Sequence, residues 1–253
     1  MNAEKYTLGL VSVSFRGHTP GEILDAAKQA GLSCIEWGSD VHAPCHDVEG
    51  LREIARRQAE YGIACSSYGT YFRLGESPVE TLEDYIRAAR LLDTEVLRLW
   101  CGRKRREDMD DTEREALLAD CRRAAEIAGA NGVTLCMECH QKTVTEDPED
   151  AVWLMQAVDS PHFRMYWQPF QWRSVEQNLE SAKKIAPYAK HVHVFHWKGD
   201  AKLSLTDGIA EWQAYLQCFS GPRTLLLEFM PNGTTKELGE ETAALKTIAG
   251  ERI

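Results

Sequence analysis

Apolar and polar positions alternate between two regimes along the chain. Short runs rich in β-branched and aromatic residues, such as Tyr6-Thr7-Leu8-Gly9-Leu10-Val11, are each followed by a longer stretch whose apolar residues fall three and four apart. The first run predicts a strand over residues 6–14. Thr19-Pro20-Gly21-Glu22 then supplies a capping Thr, a proline for the first helical position and an acid for the opening turn, and Gly31 is placed to end that helix. The unit recurs, with strands predicted over residues 32–37, 63–71, 96–101, 133–140, 163–168, 191–197 and 223–229. Helices are expected between and after them at 47–61, 77–92, 111–130, 147–158, 175–185, 210–218 and 235–248. Such units at a spacing of roughly 30 residues, with no linker or low-complexity tract, predict one α/β domain over residues 1–253, a single (β/α)₈ TIM barrel. The rival is a doubly wound open sheet, which needs fewer strands and a Gly-rich first turn. Ser14-Phe15-Arg16-Gly17-His18 is neither a dinucleotide fingerprint nor a Walker loop.

The apolar runs share an oddity at their ends. Leu135-Cys136-Met137-Glu138-Cys139-His140 carries a carboxylate where a buried strand would carry none. Met165-Tyr166-Trp167-Gln168, the run from His191 to His196, and Leu225-Leu226-Leu227-Glu228-Phe229 also end in polar residues. Ionisable groups in such places cost stability unless they are paired or hold a metal. Active sites of (β/α)₈ barrels lie at the C-terminal ends of the strands, so the rule selects Glu36, Glu138, His140, Gln168, His193, His196 and Glu228. Alternation turns Cys136, Glu138 and His140 to the barrel axis and Leu135, Met137 and Cys139 to the helices. By the same count Leu225, Leu227 and Phe229 face outward with Glu228 inward, and His191, His193 and Phe195 face inward.

Two carboxylates, an imidazole and an amide oxygen (Glu138, Glu228, His193 and Gln168) suit a divalent cation such as Mn²⁺, Mg²⁺, Co²⁺ or Zn²⁺. The metal would polarise a carbonyl or hydroxyl, and Glu138 and Glu228 would move the proton on an adjacent carbon. Arg98 is read as a substrate contact or a counter-ion to Glu138, and Glu36 as a substrate contact or the partner of an arginine. Trp100, His140 and His196 complete the expected substrate contacts. Trp37, Tyr68, Tyr71, Phe72, Trp100, Trp167, Phe170, Trp172 and Trp197 are candidates for an apolar wall against a sugar face.

A formal charge of −10 opposes a nucleic-acid partner, and the basic run Arg103-Lys104-Arg105-Arg106, followed by two acids, reads as a solvated loop. No apolar stretch is long enough for a membrane span, and the N-terminus lacks the layout of a secretory signal, so a cytoplasmic location is the expectation. The eight scattered cysteines fit free thiols; Cys136 and Cys139, three apart on a strand, diverge and read as packing.

In order and strand placement, Gly31-Leu32-Ser33-Cys34-Ile35-Glu36-Trp37, Met137-Glu138-Cys139-His140, His191-Val192-His193 and Leu227-Glu228-Phe229 resemble the xylose isomerase-like TIM barrels. That group includes sugar isomerases and 3-epimerases, inosose dehydratases and type IV AP endonucleases. The resemblance spans the chain and implies that Glu138, His193 and Glu228 are metal ligands, with the two glutamates exchanging the substrate proton. The family's sixth-strand ligand is normally Asp, often with a His three residues later. Gln168 and Gln171 stand there instead, which weakens the hold on a hard cation and makes Gln171 a substrate contact. The endonuclease chemistry needs more His and Asp ligands than this chain offers. A metal-dependent sugar or sugar-phosphate isomerase or epimerase is the leading expectation, acting on a small carbohydrate. The alternatives are an inosose-type dehydratase and a non-catalytic carbohydrate-binding barrel with a degenerate metal site. Barrels of this kind are often homo-oligomers, though no stretch of this sequence marks an interface.

Overall fold

The computed structural model describes residues 6–251. Eight parallel strands close into a barrel: β1 (Tyr6–Val11), β2 (Cys34–Gly38), β3 (Ala64–Leu74), β4 (Val96–Cys101), β5 (Thr134–Glu138), β6 (Phe163–Trp167), β7 (Ala189–Val194) and β10 (Arg223–Leu227). The last pairs with β1, Leu10 opposite Leu227, and closes the sheet. A small antiparallel hairpin, β8 (His196–Lys198) and β9 (Ala201–Leu203), stands outside the barrel. Among the described residues eight α-helices surround the sheet: α1 (Pro20–Ala30), α2 (Val48–Tyr61), α3 (Leu82–Leu91), α4 (Asp111–Asn131), α5 (Pro148–Val158), α6 (Val175–Ile185), α7 (Ile209–Leu216) and α8 (Leu238–Ala249).

Local signals explain most of these boundaries. Thr19 and Glu22 form the expected capping box at α1, and Asp110 with Glu113 and Ser174 with Gln177 do the same at α4 and α6. Gly31 ends α1 at φ 74°, a conformation that a side chain would strain. Several strands depart from the sequence expectation: β1 stops at Val11, before a 3-10 turn over Ser12–Phe15, and β5 stops at Glu138. β3 runs on to Leu74, and the predicted seventh strand stops at Val194. The hairpin turns at Gly199, whose φ is 58°, and Gly-Asp between two extended pairs was a legible hairpin signal.

Alternation along the strands divides the core in two. Val11, Val13, Cys34, Val96, Cys136, Tyr166 and Leu226 fill the barrel interior. Leu135, Met137, Cys139, Leu225 and Leu227 pack outward with the helices, as expected. All eight cysteines are free. The basic loop is solvated: Arg103, Lys104, Arg105 and Arg106 each pair with a nearby acid.

Candidate active site at the mouth of the barrel

Above the apolar interior, polar side chains from six strand ends converge. Glu36 on β2 is fully buried; its Oε2 accepts from Ser67 Oγ at 2.9 Å and its Oε1 from Arg98 Nε at 3.3 Å. Arg98, on β4, reaches on to Glu138 at the end of β5, where a terminal guanidinium nitrogen lies 3.2 Å from Oε2. Trp100 Nε1 donates to that same oxygen at 2.7 Å. Two donors thus hold one oxygen of Glu138 and leave the other, 3.9 Å from His193 Nδ1, facing the centre.

His193, from β7, has no exposed surface and stands at that centre. Its Nδ1 lies 3.0 Å from Gln168 Oε1 and 3.3 Å from Glu228 Oε2, and its Nε2 lies 3.5 Å from Glu36 Oε2. The Gln168 amide nitrogen donates to the Cys139 carbonyl at 2.9 Å, which turns the amide oxygen inward. His193 therefore meets acceptors on both ring nitrogens. Burial opposes its charge, but Glu228, Glu36 and Glu138 outweigh burial and raise its pKa to about 9.

The three carboxylates titrate differently because their neighbours differ. Burial would raise Glu36, yet His193 and Arg98 hold it down at about 2. Against the same burial, Arg98 and His193 keep Glu138 below the ordinary carboxylate value. Glu228 has only the His193 Nδ1 nearby, 3.3 Å from its Oε2, and burial pushes it up to about 7 against the pull of His193. Its Oε2 is buried without a hydrogen-bond partner among the described residues. An acceptor left in that state costs free energy unless something else engages it.

Donor atoms of Glu138, His193 and Glu228 lie within 4.8 Å of one another. With the inward oxygen of Gln168 they make a carboxylate, imidazole and amide set that fits a divalent cation, and the unpartnered Glu228 oxygen is the atom such an ion would engage. Glu36, on the far nitrogen of His193, is placed as the outer carboxylate that fixes the ring tautomer.

A cavity of about 230 Å³ opens over these groups, walled by Tyr71, Trp100, Phe170, Phe195, Trp197 and Phe229. His140 and Gln171 line it as expected. His140 Nδ1 faces the Gln141 carbonyl at 2.8 Å; a carbonyl only accepts, so Nδ1 carries the proton and Nε2 of the neutral ring keeps its lone pair. Arg16 also lines the cavity, held by Asp40 and the Tyr71 hydroxyl. The sequence reading passed over Arg16, although its place just beyond β1 satisfied the strand-end rule applied elsewhere.

Other expected residues lie elsewhere. Glu36 lies beneath the cavity and pairs with Arg98, the second of its two readings. His196 is apart from the mouth, because the chain leaves the barrel after Val194; its Nδ1 faces the Ser204 carbonyl at 3.0 Å and the ring lines a neighbouring cleft. Phe229 was expected to face outward. Strand pairing ends at Leu227, so alternation no longer applies; with φ 56° the ring stacks on Trp197 at 4.6 Å and walls the mouth. Trp37, Tyr68, Phe72 and Trp167 pack in the outer core, and Trp172 belongs to the neighbouring cleft.

The architecture is shared with solved structures. The probable 3-DHS dehydratase AsbF of Bacillus anthracis superposes with a TM-score of 0.80 at 18% identity, over 95% of this chain and 98% of that one. In sequence, a 3-dehydroshikimate dehydratase of Bacillus anthracis is 23% identical over 119 residues, 47% of this chain and 42% of that protein. D-psicose 3-epimerase from Clostridium cellulolyticum H10 gives a TM-score of 0.69 at 13% identity, covering 96% of this chain and 98% of that one. A xylose isomerase-like barrel from Mycobacterium smegmatis, solved in complex with magnesium, also gives 0.69, at 16% identity over 99% and 98% of the two chains. The sequence pattern of one family, described as xylose isomerase-like TIM barrel, matches residues 24–240. With the closed parallel barrel and its order of strand-end residues, that match places the chain in the xylose isomerase-like TIM barrel family.

Proposed function

We propose that the protein is a metal-dependent lyase that removes water from a polyhydroxylated carbonyl compound, beginning with proton abstraction beside the carbonyl. The observation that carries this reading is the inequality of the two mouth carboxylates. Glu138 is pinned by Trp100 and Arg98 and kept ionised, whereas Glu228 has a free oxygen and a pKa raised to about 7. An epimerase that passes a proton between these two glutamates needs each to take it up and return it, and Arg98 and His193 favour the ionised form of Glu138. Elimination makes no demand on Glu138: the base for the carbon-bound proton and the acid for the departing hydroxyl can be other groups.

Glu228 and His140 Nε2 both line the cavity and are the groups free to fill those roles. The base takes the proton, and the carbon–hydrogen pair becomes an enolate. The enolate pair then forms the new double bond while the β carbon–oxygen bond breaks, and the conjugate acid protonates the leaving hydroxide to water. A cation held by Glu138, His193, Glu228 and Gln168 would polarise the substrate oxygen. The likeness to a 3-dehydroshikimate dehydratase supports the lyase reading. The likeness to D-psicose 3-epimerase supports a second one, epimerisation, with His140 in place of Glu138 as the other proton carrier.

The test uses Mn²⁺-supplemented protein with a panel of ketoses, inososes and 3-dehydroshikimate in D₂O. Water loss with a new conjugated-carbonyl absorbance is the expected result. Deuterium incorporation at the carbon beside the carbonyl, without water loss, would replace the lyase by the epimerase. Silence on the whole panel, with and without metal, would favour a barrel that only binds.

A further inference from the structure

Next to the mouth lies a larger cavity of about 450 Å³, between the loop after β6, the β8–β9 hairpin and α7. We propose that it is a second carbohydrate-binding subsite, which takes an uncharged glycosyl ring attached to the group that reacts in the mouth. The link to the mouth rests on the function proposed above; the binding of the ring does not.

The cavity is built rather than incidental. Asn178 ties the loop down, accepting from Phe170 N at 2.8 Å and donating to Phe170 O at 3.1 Å. The Gly199 amide donates to the Gln171 carbonyl at 3.0 Å and joins loop to hairpin. His196 packs its ring on Gly208, where a Cβ would come within 2.9 Å of it, and is only 5% exposed.

Its unmatched polar atoms select the ligand. His196 Nδ1 donates to Ser204 O, so Nε2 is the ring nitrogen left to a ligand, and it has no hydrogen-bond partner among the described residues. Glu211 Oε2, an acceptor, lies 3.9 Å away. Trp197 Nε1, on the wall common to both cavities, is a buried donor equally without a partner among the described residues. A site that presents acceptors and a donor together is matched by hydroxyl groups, which do both. Of the nearby cations, Lys198 is paired with Glu211 at 3.0 Å, and Arg173, which keeps its charge, is held on the Glu146 carbonyl at 2.9 Å and over the Phe170 ring, so its cationic head is already committed to the loop. Trp172, 59% exposed and lying against Gly199, offers an indole face at the rim for a sugar ring. Phe170, Gln171, Phe195 and Trp197 line both cavities, so a ring here and a carbonyl group in the mouth are separated by one wall.

The probe is methyl β-D-glucopyranoside, which has no carbonyl and cannot react in the mouth, titrated calorimetrically into the whole protein. Saturable binding is expected, weakened at least tenfold in Trp172→Ala and in Glu211→Gln and unchanged in Glu228→Gln. Trp172 is exposed, so its removal leaves the core intact, and melting curves for each variant would show this. Absence of saturable binding would overturn the subsite, as would binding that survives both cleft variants or that is lost in Glu228→Gln. None of these outcomes bears on water loss or deuterium exchange in the mouth, so the two proposals fail separately.

Discussion

At the residue scale the site is a charge balance around one imidazole. Arg98 stands between Glu36 and Glu138 with a guanidinium that burial alone would disfavour and the two carboxylates hold charged. Replacing it by Met leaves two buried carboxylates uncompensated, and urea unfolding should show a loss of about 3–5 kcal/mol. Glu36 lies 3.5 Å from the far nitrogen of His193, so Glu36→Gln should weaken Mn²⁺ binding by roughly 10- to 100-fold in a calorimetric titration while the circular dichroism spectrum stays unchanged. The pKa shifts also set a pH profile. Glu36, lowered to about 2, stabilises the fold above its ordinary value of 4.5, and that contribution fades as pH falls toward 2. Glu228, raised from 4.5 to about 7, stabilises below 4.5 and loses that contribution as pH rises to 7. His193, raised from 6.5 to about 9, contributes fully below 6.5 and loses it as pH rises to 9. With a chelator present, the melting temperature should therefore decline as pH rises from about 5 to 9, and Glu228→Gln should flatten that decline. A flat wild-type profile would refute this charge assignment.

At the element scale, the site depends on how closely three neighbouring strands approach. Gly69 on β3 pairs with Gly38 on β2 and Arg98 on β4, and a Cβ there would come within 2.7 Å of Glu36 Oε1 and 3.0 Å of an Arg98 terminal nitrogen. Gly69→Ala should cost about 1–3 kcal/mol in denaturant unfolding and also lower metal affinity, because the crowding falls on the ion pair itself. Strand and helix placement was legible because alternation, capping boxes and C-cap glycines act within a few residues. The same rules lost their hold where pairing stopped: after Leu227, where Phe229 turned into the mouth, and after Val194, where His196 was carried off into a hairpin.

For the whole molecule, a cation that binds the folded barrel alone must stabilise it. At 100 times its dissociation constant the gain is about 2.7 kcal/mol, which for a domain of this size is a rise in melting temperature of roughly 5–10 °C. EDTA should reverse it, and His193→Ala should abolish it, as read by differential scanning calorimetry. Among the described residues no helix is long and apolar enough to cross a membrane. The linear chain determined much of this: the succession of strand and helix, the barrel, and the inward carboxylates Glu138 and Glu228, since each follows from local periodicity and from the position of a strand end. Closure of the barrel decided the rest. It set Glu36 against His193 across 157 residues of sequence, joined Glu36 to Glu138 through Arg98, and left a Glu228 oxygen without a hydrogen-bond partner among the described residues. Charges shift one another through space at a few ångströms, and spacing along the chain does not carry that distance.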